Sequence, residues 1–297
     1  MFKEIKDYEK VFNCLVEKTK NYLETNRISA MILGISGGID STVVSAICNE
    51  VNKLTEIPLI GRSMPIKNKS DEFSTSEIVG KAFCNNFKSL YFKNLYDNLS
   101  YGLKNMEDTD IPYRLAIQEG NIQARLRMIH LYDLASINRG IVFSTDNATE
   151  YNLGFWTLHG DVGDFNPLFG LWKTEVYELA KWLSEVHYKN NPDKRDAILQ
   201  SMSLVPTDGL GISNSDLEQI GAKTYNEVDG ILQEILAWKS FIDTSNMTIQ
   251  QKIDEFLGHQ EMLEYDPIAI KKVTERHFKS EFKRKNLPIV IERSDLV

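Results

Sequence analysis

The chain has 297 residues, 42% of them hydrophobic, with 42 Asp plus Glu against 34 Lys plus Arg and a formal net charge of −8. So much apolar material can bury a sizeable core in one large unit, and the acidic balance argues against a broad nucleic-acid-binding face and for small-molecule partners. No stretch approaches the roughly 20 apolar residues of a membrane helix, the start lacks a secretory hydrophobic run, and Cys14, Cys48 and Cys84 form no Cys-x-x-Cys pair, so a cytoplasmic protein with reduced thiols is expected.

Residues 4–24 carry Ile5, Tyr8, Val11, Phe12, Leu15 and Val16 near helical spacing, which predicts an amphipathic first helix. Residues 30–35 are a short apolar run that breaks into a glycine turn and resumes as a helix over 41–54. A second strand is expected around Pro58, Leu59 and Ile60, ending near Met64, then a helix over 74–87 and a strand at Leu90, Tyr91 and Phe92. A long helix over 121–138 leads into a buried strand over 140–144. Strands alternating with helices predict a doubly wound, Rossmann-like parallel α/β sheet flanked by helices. Ligands in such sheets sit at the carboxyl ends of the strands, here the segments after Ile35, Met64 and Ser144.

From Thr145 to Trp172 five glycine and proline interruptions predict a long functional loop rich in aromatics. Helices are then expected over 173–185, 224–241, 248–257 and 267–282. The expected organisation is one domain, with a core over about 25–185 and a mostly helical C-terminal part over about 186–297.

Ser36-Gly37-Gly38-Ile39-Asp40-Ser41 lies between the apolar strand and the helix. Paired glycines let the backbone approach an anion, and the following helix directs N–H groups and its positive end to the same place. Ser36 and Ser41 add hydroxyl donors. Asp40 beside phosphate implies an intervening Mg²⁺. A plain strand-to-helix turn with glycines for geometry and a Ser or Asp N-cap accounts for the same hexapeptide. No Gly-Lys-Ser/Thr follows, so this is not a Walker A loop.

The hexapeptide resembles the signature loop of the ATP pyrophosphatase (PP-loop) superfamily, which cleaves ATP between the α and β phosphates. Later segments, in order, resemble ammonia-dependent NAD synthetases within it. The likeness implies ATP contacts from Gly34, Ser36, Gly37, Gly38, Asp40, Ser41, Thr145, Lys173 and Thr207, and Mg²⁺ held by Asp40 and Glu150, with Asp40 and Lys173 catalytic. It implies deamido-NAD contacts from Arg125 in Ala124-Arg125-Leu126-Arg127, from Asp164 in the Gly-Asp loop and from Lys283 in the basic tail. The helical period places Arg125 beside the stripe of Ile122, Leu126, Ile129 and Tyr132, with Arg127 pointing away. A surface arginine on an ordinary helix is the alternative. Lys173 is misplaced with respect to a helix dipole unless a phosphate is near. Asn147, Leu158 and Phe282 stand where the family has histidine, lysine and histidine.

The implied reaction converts deamido-NAD to NAD through an acyl adenylate, with AMP and pyrophosphate released and free ammonia as the nitrogen source. The family likeness also implies a homodimer. Two rivals are a different PP-loop enzyme, such as another amide synthetase or a tRNA-modifying enzyme, and a non-catalytic adenylate-binding module.

Overall fold

The computed structural model describes residues 4–67, 70–106, 116–206, 215–259 and 264–284. Among these, four parallel strands form one sheet: β1 (Ala30–Gly34), β2 (Leu59–Ser63), β3 (Asn86–Ser89) and β4 (Gly140–Val142), in the order β3-β2-β1-β4. Ile32 pairs with Ile60 on one side and Val142 on the other, so β1 is central. Its residues Met31, Ile32 and Leu33 are all fully buried, as a strand covered on both faces requires.

Alternation along the strands divides their side chains between two layers. Met31, Leu33, Leu59 and Ile141 meet α1 (Tyr8–Thr25), α2 (Ile39–Thr55), α3 (Ser70–Phe83), α7 (Lys173–Trp182) and α8 (Pro192–Ser203). Ala30, Ile32, Ile60 and Val142 meet α4 (Lys93–Met106) and α5 (Ala116–Asn138). A second apolar cluster joins α6 (Ala148–Leu153), α9 (Asp216–Ile220), α10 (Tyr225–Phe241), α11 (Ile249–Gly258) and α12 (Pro267–Lys279). The expected parallel α/β core and mostly helical C-terminal part are thus present. Phe12 of α1 and Ile198 of α8, outside residues 25–185, share the sheet's own core.

Two local expectations are corrected. The third strand lies at Asn86–Ser89, ahead of Leu90 to Phe92, and the preceding helix ends at Phe83. This short edge strand alternates exposed and half-buried residues, so it has no apolar run to announce it, while Phe92 serves the α4–α5 core instead. The loop from Thr145 to Trp172 also contains a short helix, α6, whose Asn147 and Glu150 form a reciprocal capping box. Among the described residues no helix is long and apolar enough to cross a membrane.

Because Leu33 is fully buried on the central strand, Leu33→Ala should lower the unfolding free energy by about 2–5 kcal/mol in urea titrations. A loss below about 1 kcal/mol would mean that the sheet centre is not the packed core described.

Candidate active site

Strand β1 ends at Gly34, and the chain turns through Gly37, whose φ of +90° only glycine adopts without strain. The loop is braced by its own hydroxyls. Ser36 Oγ lies 3.0 Å from Ser41 Oγ and accepts from the Gly38 N–H at 3.2 Å. Ser41 and Thr42 hydroxyls both donate to the Gly38 carbonyl, at 3.0 and 2.9 Å. Gly38 is the N-cap of α2 and has no side chain to satisfy the first-turn N–H groups. Those groups and the helix dipole therefore face the space above the loop, a ready site for an anion.

Three charged side chains meet at the mouth of this loop. The Lys173 ammonium, on a residue 3% exposed, donates to Asp40 Oδ2 and, at 3.2 Å, to Glu150 Oε1. Asn147, fully buried, ties the two acids together: its amide donates to Asp40 Oδ1 at 2.9 Å, and its backbone N–H donates to Glu150 Oε2 at 3.1 Å. Asp40 comes from α2, Glu150 from α6 and Lys173 from the first residue of α7. The lysine charge at a helix start is thus compensated by carboxylates.

These residues line a cleft of about 340 Å³, together with Gly34, Ser36, Gly38, Ser41 and Thr145. The cleft opens where the segments after β1, β2 and β4 converge, as expected of a parallel sheet. Gly37 supplies the turn behind it. Thr207 lies outside the described residues, although Pro206 before it lines the cleft.

The expected substrate contacts lie elsewhere. Arg125 is exposed and donates to the Leu158 carbonyl at 2.9 Å, whereas Arg127 lines the cleft and donates to the Met64 carbonyl at 3.1 Å. The helix-face reading holds only in part: Leu126 is buried, but Ile129 is 66% and Tyr132 41% exposed, and the inward face of α5 runs through Gln123, Ala124, Leu126, Leu131 and Ala135. Ala124 and Ala135 share the side packed on the sheet with Leu126 and Leu131. Asp164 is exposed, accepting from the Tyr132 hydroxyl at 2.9 Å and the Val142 N–H at 3.2 Å. Lys283 donates to the carbonyls of Gly154 and Trp156, at 2.7 and 2.5 Å.

Arg62, Asp146, Asp161 and Tyr177 also line the cleft and escaped the sequence reading, and Arg127, which the helical period turns away from it, lines it too. Asp146 and Asp161 were visible as the acids of Thr145-Asp146-Asn147 and Gly160-Asp161, but nothing local distinguished them from loop charges. Arg62 sits in a strand position, 5% exposed, with Nη1 on the Gly61 and Asn86 carbonyls at 2.7 and 3.1 Å.

The electrostatics follow from crowding. Burial opposes the Lys173 charge, yet Asp40 and Glu150 more than offset it and hold its pKa well above the ordinary lysine value. Burial raises Glu150 above the usual carboxylate range, against the pull of Lys173 and with help from Asp40 and Asp146. Asp146 is pushed up to about 7 by burial and by Asp161 beside it. Asp161, on an exposed residue, is raised less, to about 6, chiefly by desolvation of its carboxyl. One ammonium thus faces several carboxyl groups that hold their protons more tightly than usual, and a cation among them would favour their ionisation.

The family model described as NAD synthase matches residues 11–287. An NH(3)-dependent NAD(+) synthetase of Helicobacter pylori is 31% identical, with 97% of this chain and 98% of that protein aligned. Among solved structures, an NMN synthetase from Francisella tularensis superposes with a TM-score of 0.75 at 22% identity, and an NH3-dependent NAD synthetase from Campylobacter jejuni with 0.66 at 23%. Both alignments cover 97% of this chain and 100% of the other.

Asp146 gives a test of the crowding. Its folded pKa of about 7 exceeds its unfolded value of about 4, so above pH 4 the folded form retains a proton the unfolded chain has lost, and stability drains away as pH rises through 7. His277, held down to about 3 chiefly by burial, works in the opposite sense below about pH 6.5. The melting temperature of Asp146→Asn minus that of the parent cancels this background and should grow from pH 5.5 to 8. A difference constant across that interval would contradict the assignment.

Proposed function

The chain belongs to the NAD synthase family, and we propose that the cleft at the carboxyl ends of its strands activates the nicotinate carboxylate of deamido-NAD on ATP before ammonia enters. The overall reaction is ammonia-dependent NAD synthesis, and the protein is a ligase that forms a carbon–nitrogen bond. The observation that carries the site reading is the Lys173 ammonium shared between Asp40 and Glu150 above an anion-ready loop.

A carboxylate repels an incoming nucleophile and has oxide as its leaving group, so an acyl adenylate must form first. In our reading Ser36 to Ser41 and the start of α2 hold the β and γ phosphates of ATP, with Thr145 and Thr207 on the nucleotide by family likeness. The substrate carboxylate attacks the α phosphorus, an oxygen–phosphorus bond forms, and the bond to pyrophosphate breaks. Lys173 turns from its carboxylates to the phosphate oxygens that gain charge. Ammonia then adds to the acyl carbon and AMP departs. Asp161, raised toward neutrality on the cleft wall, accepts the proton that ammonium must give up to become nucleophilic.

Asp40 and Glu150 are our candidates to hold Mg²⁺. The donor set fits: their carboxylates converge on one ammonium, and Mg²⁺ usually takes one or two protein carboxylates beside substrate phosphates. The ion would supply charge neutralisation on the phosphate chain.

Arg125, Asp164 and Lys283 remain the candidate deamido-NAD contacts. The first two lie on an exposed face with Ile129 at 66%, Tyr132 at 41% and Val162 at 42% exposure, and this favours a homodimer whose second subunit covers them.

Incubation with ATP, Mg²⁺, ammonium and deamido-NAD should yield NAD, AMP and pyrophosphate in equal amounts, with a parallel nicotinate mononucleotide arm reading substrate size. ADP and phosphate as products would remove the adenylate. Asp40→Asn should lower kcat by about 100-fold or more with the fold retained; a fully active variant would refute the role of that carboxylate.

A further inference from the structure

Glu150 lies in the first turn of α6 and Lys173 opens α7, so their separation depends on how two helix starts are fastened together. The fastening comes from α10, in the C-terminal helical layer. Asp229 is 2% exposed. One of its carboxylate oxygens accepts from the Thr149 hydroxyl at 2.5 Å. The other accepts from the Thr174 backbone N–H at 3.0 Å and the Thr174 hydroxyl at 2.8 Å. Thr149 Oγ1 in turn accepts from the Lys173 backbone N–H at 2.8 Å, so the single hydroxyl proton of Thr149 is committed to Asp229.

Trp172, at the N-cap of α7, carries no side-chain oxygen to receive first-turn N–H groups. Two of those groups, on Lys173 and Thr174, end instead on the Thr149 hydroxyl and on Asp229. A negative charge is well placed at a helix start. It is nonetheless costly inside an apolar cluster, where Val228, Ile231 and Leu232 beside it are fully buried, and burial duly pushes its pKa upward. An apolar residue would fill the same position at lower desolvation cost. What only the carboxylate provides is a fixed bridge between the neighbour of Glu150 and the neighbour of Lys173.

We propose that Asp229 is a positioning residue for the amidation reaction: through Thr149 and Thr174 it sets the distance between the Glu150 carboxylate and the Lys173 ammonium. The proposal rests on the reading of those two groups as the phosphate- and Mg²⁺-handling pair. Asp229→Asn keeps the shape but replaces one acceptor oxygen with an amide NH₂ donor, which must face either the Thr149 hydroxyl or the Thr174 N–H.

In the full-length protein, Asp229→Asn should lower kcat and raise the half-saturating Mg²⁺ concentration, either by about 10- to 100-fold. Hydrogen exchange should show the Lys173 and Thr174 amides at least about 10-fold faster, with amides in the middle of α10 unchanged. A purely structural role would speed exchange throughout the helical layer and leave the Mg²⁺ dependence where it was. Should Asp229→Asn fail to fold, Thr149 decides: Thr149→Ser keeps the hydroxyl and should stay within about twofold of the parent, whereas isosteric Thr149→Val should reproduce the loss. Unchanged kcat, Mg²⁺ dependence and local exchange in Asp229→Asn, or an active Thr149→Val, would overturn the proposal. A parent protein that makes no NAD while the exchange result holds would instead overturn the reading of the site and leave the bridge standing.

Discussion

A buried lysine ammonium held between two acids at the wall of the cleft is the constraint around which the site is organised. Charges removed from water cost several kcal/mol each unless compensated, and Lys173, with 3% exposure, is compensated chiefly by Asp40 and Glu150, which Asn147 ties together. The compensation is incomplete in the other direction, since Asp146 and Asp161 add acid to the same cleft. In the proposed reading the ammonium turns to phosphate when nucleotide binds, and the two acids become free to hold a metal.

Every layer of the fold contributes one side of this arrangement. The central strand β1 delivers the glycine turn, β4 delivers Asp146 and Asn147, and α7 delivers the lysine at its first residue. The strand order reverses at β1, with β2 on one side and β4 on the other, and this leaves a crevice at the carboxyl ends of β1 and β4. From behind, α10 reaches in with Asp229 and bonds both helix starts. The C-terminal helices thus brace the helix starts that carry Glu150 and Lys173, although the cleft itself is lined mainly by the sheet segments.

Much of this was legible in the sequence, and the reasons are physical. Buried parallel strands are continuous apolar runs, so β1, β2 and β4 announce themselves. A glycine pair between such a strand and a helix suits either a plain turn or an anion site, and Gly34, Ser36, Gly38, Asp40, Ser41, Thr145, Glu150 and Lys173 do line one cleft. What remained hidden depended on three-dimensional contact. The edge strand Asn86–Ser89 offers no apolar run, and the inward side of α5 carries Ala124 and Ala135 beside Leu126 and Leu131, so the period of the large apolar residues did not place Arg127 at the cleft. Asp229 lies 55 positions from its partner Thr174 and resembles any helix carboxylate until the fold brings them together.

The most direct test of the account is a crystal structure of the protein with Mg²⁺ and a non-hydrolysable ATP analogue. The β and γ phosphates should lie over Gly37 and Gly38, with Lys173 Nζ within ~3 Å of a phosphate oxygen and no longer bridging Asp40 and Glu150. Phosphates bound elsewhere, with Lys173 still held between its two carboxylates, would contradict it.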